Sequence, residues 1–416
     1  MRFCPKLIPR TFGAIAFTVA VALSAPAGAL AASPSRSVEY EVPSLKGNID
    51  LKKVELNGTN KLTAWVRLPA GYDDQPDRRW PVLYLLHGWE DNSGGWLDPK
   101  KGDLNAVLPA DFPGIVVMPD GGKEWFLNWA DDTKNPGHRW GDYLLEEVLP
   151  LMESKLRILP GRGNHAIGGL SMGGYGALRA TAALPSYFGH ALAFSGLVDN
   201  QDASFNAMLT TAQLGKAGYG PIWGPMFGPY ADATNPVKNA RDYRQSRLSV
   251  YYGTPSISVL WSLDLRIRAE ALLEVGVQLQ VGRFLSALKG QGGDVYSQNV
   301  PNGSHTWKWW KQQLANAVSR DLFKAPPVST TADAKYWEYD TMSAHGNAWG
   351  LGYKMLAKPT KKMELLRAND QLEGRGVGTV TIAGGAADTD ASGNGSNAEC
   401  TFTVKLPFKK QLPPSC

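Results

Sequence analysis

Between Val38 and Phe323, short apolar runs alternate with longer amphipathic stretches, a rhythm that confines the chain to an α/β architecture. PVLYLL at residues 81–86 and GIVVM at 114–118 are unbroken apolar segments ending in glycine-rich or polar turns. That is how strands buried on both faces of a parallel sheet read. Residues 165–167, 191–194 and 248–252 continue the series. Residues 142–156 have helical spacing, with Leu145, Val148, Leu149 and Met152 on one face, and are expected to form a packing helix. With 43% apolar and 19% charged residues, the chain has the means to bury a large core.

The rhythm breaks in three places. Residues 197–241 contain YGPIWGPMFGPY at 219–230, an aromatic run cut by Gly and Pro that is not expected to be regular. We take it as a cap or acceptor wall over a pocket, with a ligand-free structural loop as the alternative. Pro326-Pro327 and the residues after them have linker composition. Beyond it, residues 332–416 read as a small β-rich module, with strand-like alternation at 378–382 and 400–406 around a flexible loop at 384–398. Residues 38–325 are then the main domain.

Residues 1–31 read as a secretory signal: Arg2, Lys6 and Arg10 precede a short apolar stretch and an Ala29-Leu30-Ala31 cleavage pattern. No other stretch is long and apolar enough to span a bilayer, so an exported protein, secreted or held in the cell envelope, is expected. Removing the signal takes three positive charges from a net +5 and leaves +2, which argues against a nucleic-acid partner. Cys4 leaves with the signal, and Cys400 and Cys416 remain as an expected disulfide. Closing a loop of about fifteen residues is worth roughly 3 kcal/mol. No Cys/His cluster has zinc spacing, so neither metal nor cofactor is expected.

The chemistry begins at Gly169-Leu170-Ser171-Met172-Gly173, a G-x-S-x-G pentapeptide between a strand-like run and a helix-like 175–183. In that context it reads as a nucleophile elbow, whose glycines make room for a strained turn. A serine hydroxyl needs a base, and in this arrangement acid and then histidine follow the serine along the chain. Of the later histidines, His190 opens the next strand and is expected to pack there, and His345 belongs to the C-terminal module. His305 sits in a loop between a strand-like 294–296 and a helix-like 308–323, where a sheet-end base belongs. The acid must orient the imidazole and is expected near a strand end; Asp264, Glu270 and Glu274 all qualify. The oxyanion hole needs two backbone N–H groups, assigned to Met172 and to Trp89 in the loop after the 81–86 strand. His87 precedes the serine, so a structural role is preferred, with a place in the substrate pocket beside Trp223 and Trp307 as the alternative.

These segments resemble the esterase family that joins esterase D, bacterial feruloyl and tributyrin esterases and the mycobacterial mycolyltransferases of the antigen 85 group. The resemblance covers about residues 40–325 and implies an α/β-hydrolase fold, a mostly parallel sheet with flanking helices. GLSMGGYGAL at 169–178 is similar to the simple esterases. GSHTWKWW at 303–310 is similar to the mycolyltransferases, as are Trp223-Gly224 and Asn235-Pro236. The resemblance places the acid at Glu274, giving a triad of Ser171, Glu274 and His305. Two features depart from it. The mycolyltransferases carry Asp-Gly-Leu-Arg at the oxyanion loop, where Asp and Arg help hold trehalose, and this chain has His87-Gly88-Trp89-Glu90. The C-terminal module has no counterpart there.

Three functions follow. The first is a secreted carboxylic-ester hydrolase acting on an acyl ester. The second is an acyltransferase moving a long acyl chain to a carbohydrate or lipid acceptor of the envelope. The third is a non-catalytic surface binding protein. Composition alone also suggests cell-wall association through residues 332–416.

Overall fold

The computed structural model describes residue 1 and residues 32–416, except 57, 59, 133–135, 213–218, 325–334 and 388–389. The segment read as a signal, with Cys4, and the Pro326-Pro327 linker lie outside the described residues. Among the described residues no helix is long and apolar enough to cross a membrane.

One sheet organises the first three quarters of the chain. Its strands are β1 (Arg36–Glu41), β2 (Thr63–Leu68), β3 (Val82–Leu86), β4 (Ile115–Pro119), β5 (His165–Leu170), β6 (His190–Phe194), β7 (Arg247–Thr254) and β8 (Asp294–Pro301), in the order β1-β2-β4-β3-β5-β6-β7-β8. β1 and β2 are antiparallel at one edge, and β4 through β8 run parallel. Every residue of β3, β4, β5 and β6 is buried, which is why these strands read as continuous apolar runs. β8 alternates exposed and half-buried residues, as an edge strand does.

The helices are α1 (Leu104–Val107), α2 (Trp140–Tyr143), α3 (Leu149–Lys155), α4 (Met172–Ala183), α5 (Ala203–Ala212), α6 (Tyr219–Trp223), α7 (Pro229–Ala233), α8 (Ile257–Leu260), α9 (Leu265–Leu288) and α10 (Trp307–Ser319). They cover both faces. Val82, Tyr84 and Leu86 of β3 share a core with Met152, Leu178 and Phe284, whereas Leu83 and Leu85 point the other way, to Trp310 and Leu314. The expected packing helix over 142–156 is α2 and α3 joined by a π-helical turn, Leu144–Val148, and its four named apolar residues are buried.

The aromatic run differs from expectation. Two short helices, α6 and α7, occupy it, because Pro229 stands in the first turn of α7, where a missing N–H costs nothing. Trp223 then points down into the protein, and its Nε1 donates to the Tyr175 hydroxyl of α4 at 2.9 Å.

Residues 336–411 hold eight more strands: β9 (Tyr336–Thr341), β10 (His345–Ala348), β11 (Leu351–Met355), β12 (Met363–Ala368), β13 (Gln371–Arg375), β14 (Thr379–Gly384), β15 (Asn397–Lys405) and β16 (Phe408–Gln411). They form two antiparallel four-stranded sheets, β10-β11-β14-β15 and β16-β13-β12-β9. Trp337, Tyr339, Leu365 and Leu372 from one sheet and Leu351, Tyr353, Val380 and Ile382 from the other fill one core, so the module is a β-sandwich. The Cys400–Cys416 disulfide ties β15 to the chain beyond β16, joining the two sheets. Residues Ser33–Cys416 form one compact unit. The sandwich meets the main sheet domain through the Tyr339 hydroxyl on the Ala183 carbonyl at the C-terminal end of α4 (3.1 Å), Arg241 on Asp340, Lys358 on Asp132 (2.5 Å) and His345 on Glu146 (2.5 Å).

Candidate active site

β3 and β5 are neighbours whose onward connections leave in opposite directions, to β4 on one side and β6 on the other. Crevices at such a switch point, outside the carboxyl ends of the strands, are where open α/β sheets hold their ligands. Ser171 follows β5 there, with φ 52° and ψ −116°, a strained conformation for a residue with a side chain. The turn leaves no room around it. A Cβ on Gly169 would stand 2.5 Å from the backbone of Gly173, and one on Gly173 2.6 Å from the carbonyl oxygens of Leu86 and His87.

His305 lies in the loop between β8 and α10. Its Nε2 is 2.9 Å from Ser171 Oγ and its Nδ1 is 2.9 Å from Glu274 Oε2. A ring nitrogen facing a carboxylate carries the proton, which leaves Nε2 free to accept from the serine hydroxyl. Trp310 meets the imidazole edge-on at 5.0 Å and limits its rotation. Ser171 and His305 are both 8% exposed, whereas Glu274 is 0% exposed.

The carboxylate of Glu274 has two further donors. The Ser195 hydroxyl reaches Oε1 at 2.9 Å and the Gly253 N–H reaches it at 2.6 Å. Sequence reasoning missed both, and the only available signal was that each stands at the end of a buried strand. Gly253 is required: a Cβ there would lie 2.5 Å from the Gly303 backbone, where the end of β7 touches the His305 loop. Glu274 does stand near strand ends, as expected of the acid, although a helix carries it. It lies on the buried face of the long helix α9, and the strand ends β6 and β7 come to it. The two competing acids are otherwise engaged. Asp264 caps α9 by accepting from the amides of Arg266 and Ile267. Glu270 pairs with Arg266 at 3.0 Å, and its carbonyl accepts from the His305 N–H at 3.3 Å.

Met172 is the first residue of α4, so its N–H has no acceptor within the helix. Trp89 is half-buried in the loop after β3. His87 is the clamp of that loop: Nδ1 lies 2.7 Å from the Gly88 carbonyl, and Nε2 accepts from the Gly121 N–H at 3.0 Å. Burial pushes its pKa down. It is 1% exposed, so the substrate-pocket alternative for His87 gives way to the structural one. Trp223 likewise has no exposed surface, being packed among Trp125, Tyr175, Phe205 and Tyr219; its placement in a substrate wall is corrected to the main hydrophobic core. Trp307 remains partly exposed two residues from His305, edge-on to Trp96 at 5.0 Å.

The other histidines lie elsewhere. His190 packs between Ser249 Oγ (2.9 Å) and the Leu322 carbonyl (3.2 Å), and burial lowers its pKa to about 4. His345 faces Asp142 and Glu146, and these three could in principle hold a metal, their ligand atoms lying within 4.8 Å of one another. Both carboxylates are already paired with cations, Asp142 with Arg139 and Glu146 with Lys46.

A mostly parallel sheet with a serine on the strained turn after its central strand defines the α/β-hydrolase fold. Residues 58–320 match the model of the Esterase family, and the chain belongs to that family, a class of ester-cleaving and acyl-transferring enzymes. Esterase Rv1288 of Mycobacterium tuberculosis is 30% identical over 57% of this chain and 51% of its own length, so the chain spans about half of that relative. The diacylglycerol acyltransferase/mycolyltransferase Ag85A of M. tuberculosis is 29% identical over 74% of this chain and 86% of its own. Among solved structures, M. tuberculosis MPT51 (FbpC1) superposes with a TM-score of 0.54 at 20% identity, covering 70% of this chain and 99% of that one, a likeness of fold.

Proposed function

We propose that the protein is an exported serine carboxylic-ester hydrolase that works through an acyl-enzyme on Ser171, with His305 as base and Glu274 as the acid that orients it. The observation that carries this reading is the continuous chain of contacts from a fully buried carboxylate through an imidazole to a hydroxyl, 2.9 Å at each step, assembled from three separate elements.

In this reading the Ser171 hydroxyl gives its proton to Nε2 as the oxygen attacks the ester carbonyl carbon. Glu274 accepts from Nδ1–H and stabilises the imidazolium that forms. The oxyanion is received by the N–H groups of Met172 and Trp89, the first strengthened by the N-terminal end of α4. His305 returns the proton to the departing alcohol, then takes one from water as its oxygen attacks the acyl-enzyme, and passes that proton to Ser171 Oγ as the acyl–oxygen bond breaks and the acid leaves. No cofactor enters any step. In this assignment residues 38–325 carry the chemistry, and residues 332–416 are an accessory module that could hold wall polymer.

A second reading keeps every step to the acyl-enzyme and replaces water with an alcohol of a sugar or lipid. It is favoured by the 86% of Ag85A's length that this chain covers. Against it stands the His87-Gly88-Trp89-Glu90 loop, in which the His87 side chain is buried and turned to Gly121 and so offers a sugar nothing. Purified protein given a labelled acyl ester, with and without a sugar acceptor, distinguishes the two: hydrolysis yields free acid in both arms, transfer a labelled acyl-sugar. Turnover that survives Ser171→Ala overturns both.

A further inference from the structure

Where the β-sandwich lies against α4, a cavity remains between the two. Phe126, Leu144, Leu145 and Ala183 of the main domain and Met342 of the sandwich form its apolar wall, and the exposed Ser343 stands at its rim. Its volume is about 60 Å³. A water needs about 15 Å³ of such space, so there is room for roughly four waters, or for a molecule of about four to six heavy atoms.

Arg179 also lines this cavity, projecting from α4 about two turns beyond the nucleophile elbow. Its Nε and Nη1 are buried without a hydrogen-bond partner. Arg67, Arg139 and Arg367 each have one such nitrogen, but another nitrogen of each is held, by Asn105, Asp142 and the Asn369 carbonyl respectively. Arg179 has no hold of that kind: among the described residues no carboxylate pairs with its guanidinium. A buried cation left bare is costly, and buried polar groups in folded proteins have partners, from the protein or from what it binds.

The neighbours do not supply the missing charge. The Tyr243 hydroxyl beside Arg179 is itself buried without a partner, and it is neutral. Asp242 acts on Arg179 from beyond ion-pair distance. Burial, with the charge of Asp340, pushes the Asp242 pKa up to about 7, so its negative charge is only partial near neutrality. Asp142, on the cavity wall, is taken by Arg139 and by Asn128 Nδ2 at 2.7 Å. The adjoining crevice holds three more cationic side chains, and each faces an acid of its own: Arg139 on Asp142, Lys358 on Asp132 and His345 on Glu146. Arg179 is the cation left over in this group.

The chemistry of the cavity narrows what fills it. A guanidinium presents a planar fork that matches a carboxylate. One unbalanced positive charge calls for one negative charge, and a dianion would set its second against Asp142. Chloride or water alone would leave the apolar wall uncovered. We propose that this cavity between the domains binds a short-chain monocarboxylate, with its carboxylate on Arg179 and its hydrocarbon against Leu144, Leu145 and Met342.

The test titrates the full chain with sodium butyrate, using sodium chloride at equal ionic strength as the control, and reads binding heats and the thermal midpoint. Butyrate should bind and raise Tm, and chloride should not. Arg179→Met should weaken butyrate binding about tenfold or more, since a charge-assisted hydrogen bond is lost. Crystals grown with butyrate should show its carboxylate on Arg179, a result that needs no variant to fold. Water alone at Arg179, an equal response to chloride, or butyrate binding that survives Arg179→Met overturns the proposal; acid held at the Ser171 site would behave in the last way. Supplied as its methyl ester, butyrate should stabilise the Ser171 protein only as acid accumulates, and Ser171→Ala not at all. That arm asks whether the protein makes its own ligand and rests on the esterase reading above; its failure overturns that reading and leaves the direct titration to decide the site.

Discussion

Two of the three histidine–carboxylate pairs among the described residues, His138 with Glu124 being the third, have similar contacts and different surroundings. His305 faces Glu274 at 2.9 Å, and His345 faces Glu146 at 2.5 Å. The first pair is sunk among strand ends, its carboxylate held by Ser195 and Gly253, its imidazole pointing at a hydroxyl on a strained turn. The second lies where the β-sandwich meets the main domain, with a second carboxylate, Asp142, 3.8 Å away and Lys46 on Glu146. The imidazole of His345 ends on acids, with no nucleophile beyond it. A histidine beside a carboxylate is therefore a common structural unit, and what sets His305 apart is the group on its far nitrogen.

That distinction fails if the wrong pair controls turnover. Ser171→Ala or His305→Ala should lower kcat on a soluble ester by about 10⁴-fold or more with the fold intact by circular dichroism. Glu274→Gln should cost about 10³- to 10⁴-fold, because the amide can no longer hold the imidazole in the tautomer that accepts from serine. His345→Ala should stay within about twofold, being an interface change distant from the chemistry. Equal losses from Glu274→Gln and His345→Ala would remove the contrast altogether.

The parts of this contrast differ in how far the sequence reveals them. The buried strands were legible because β3 to β6 have no solvent face, and the elbow because its glycines answer a local demand for space. His305 was legible from its loop between a strand and a helix. Glu274 was not, on residues alone: it sits on a helix whose two faces are both apolar, so periodicity cannot say which side is buried, and only the family resemblance separated it from Asp264 and Glu270. Trp223 misled for a related reason. An aromatic between Gly and Pro reads as a loop residue, whereas α6 turns it inward onto Tyr175. The sandwich was seen only in part, since β9 to β13 are short and carry charges on their outer faces, and its docking to α4 depends on contacts between residues more than a hundred positions apart, such as Tyr339 with Ala183.

The sandwich and the main domain should also respond differently to reduction. Cys400–Cys416 closes its loop wholly within the sandwich. Cys400→Ser should cost the sandwich about 3 kcal/mol. Thermal unfolding should then show an earlier transition in the variant, with hydrolysis of a soluble ester unchanged below that temperature. A fall in kcat parallel to the loss of sandwich structure would mean that the catalytic edge depends on the module.

The smallest expected effect is the most specific to the second pair. The hydrogen bond that His345 donates to Glu146 raises the histidine's pKa above its ordinary 6.5, against the opposing pull of burial, and the charge of Asp142 adds to the rise. Burial pushes Glu146 up, but the bonds and charges of His345 and Lys46 together more than offset it and leave its pKa lowered. A histidine whose folded pKa is raised stabilises the folded state fully below its unfolded value and loses that contribution as pH climbs through the folded one. Arg139 opposes the charged imidazole, and the side chain of His345 is 23% exposed, so the gain is modest, about 1 kcal/mol. His345→Ala should thus destabilise the protein by that amount near pH 6 and by almost nothing near pH 9, read from urea midpoints at both. A penalty that grows with pH, or stays flat, would show that His345 is held neutral and that the sandwich docks through its other contacts, among them those of Arg241, Lys358 and Tyr339.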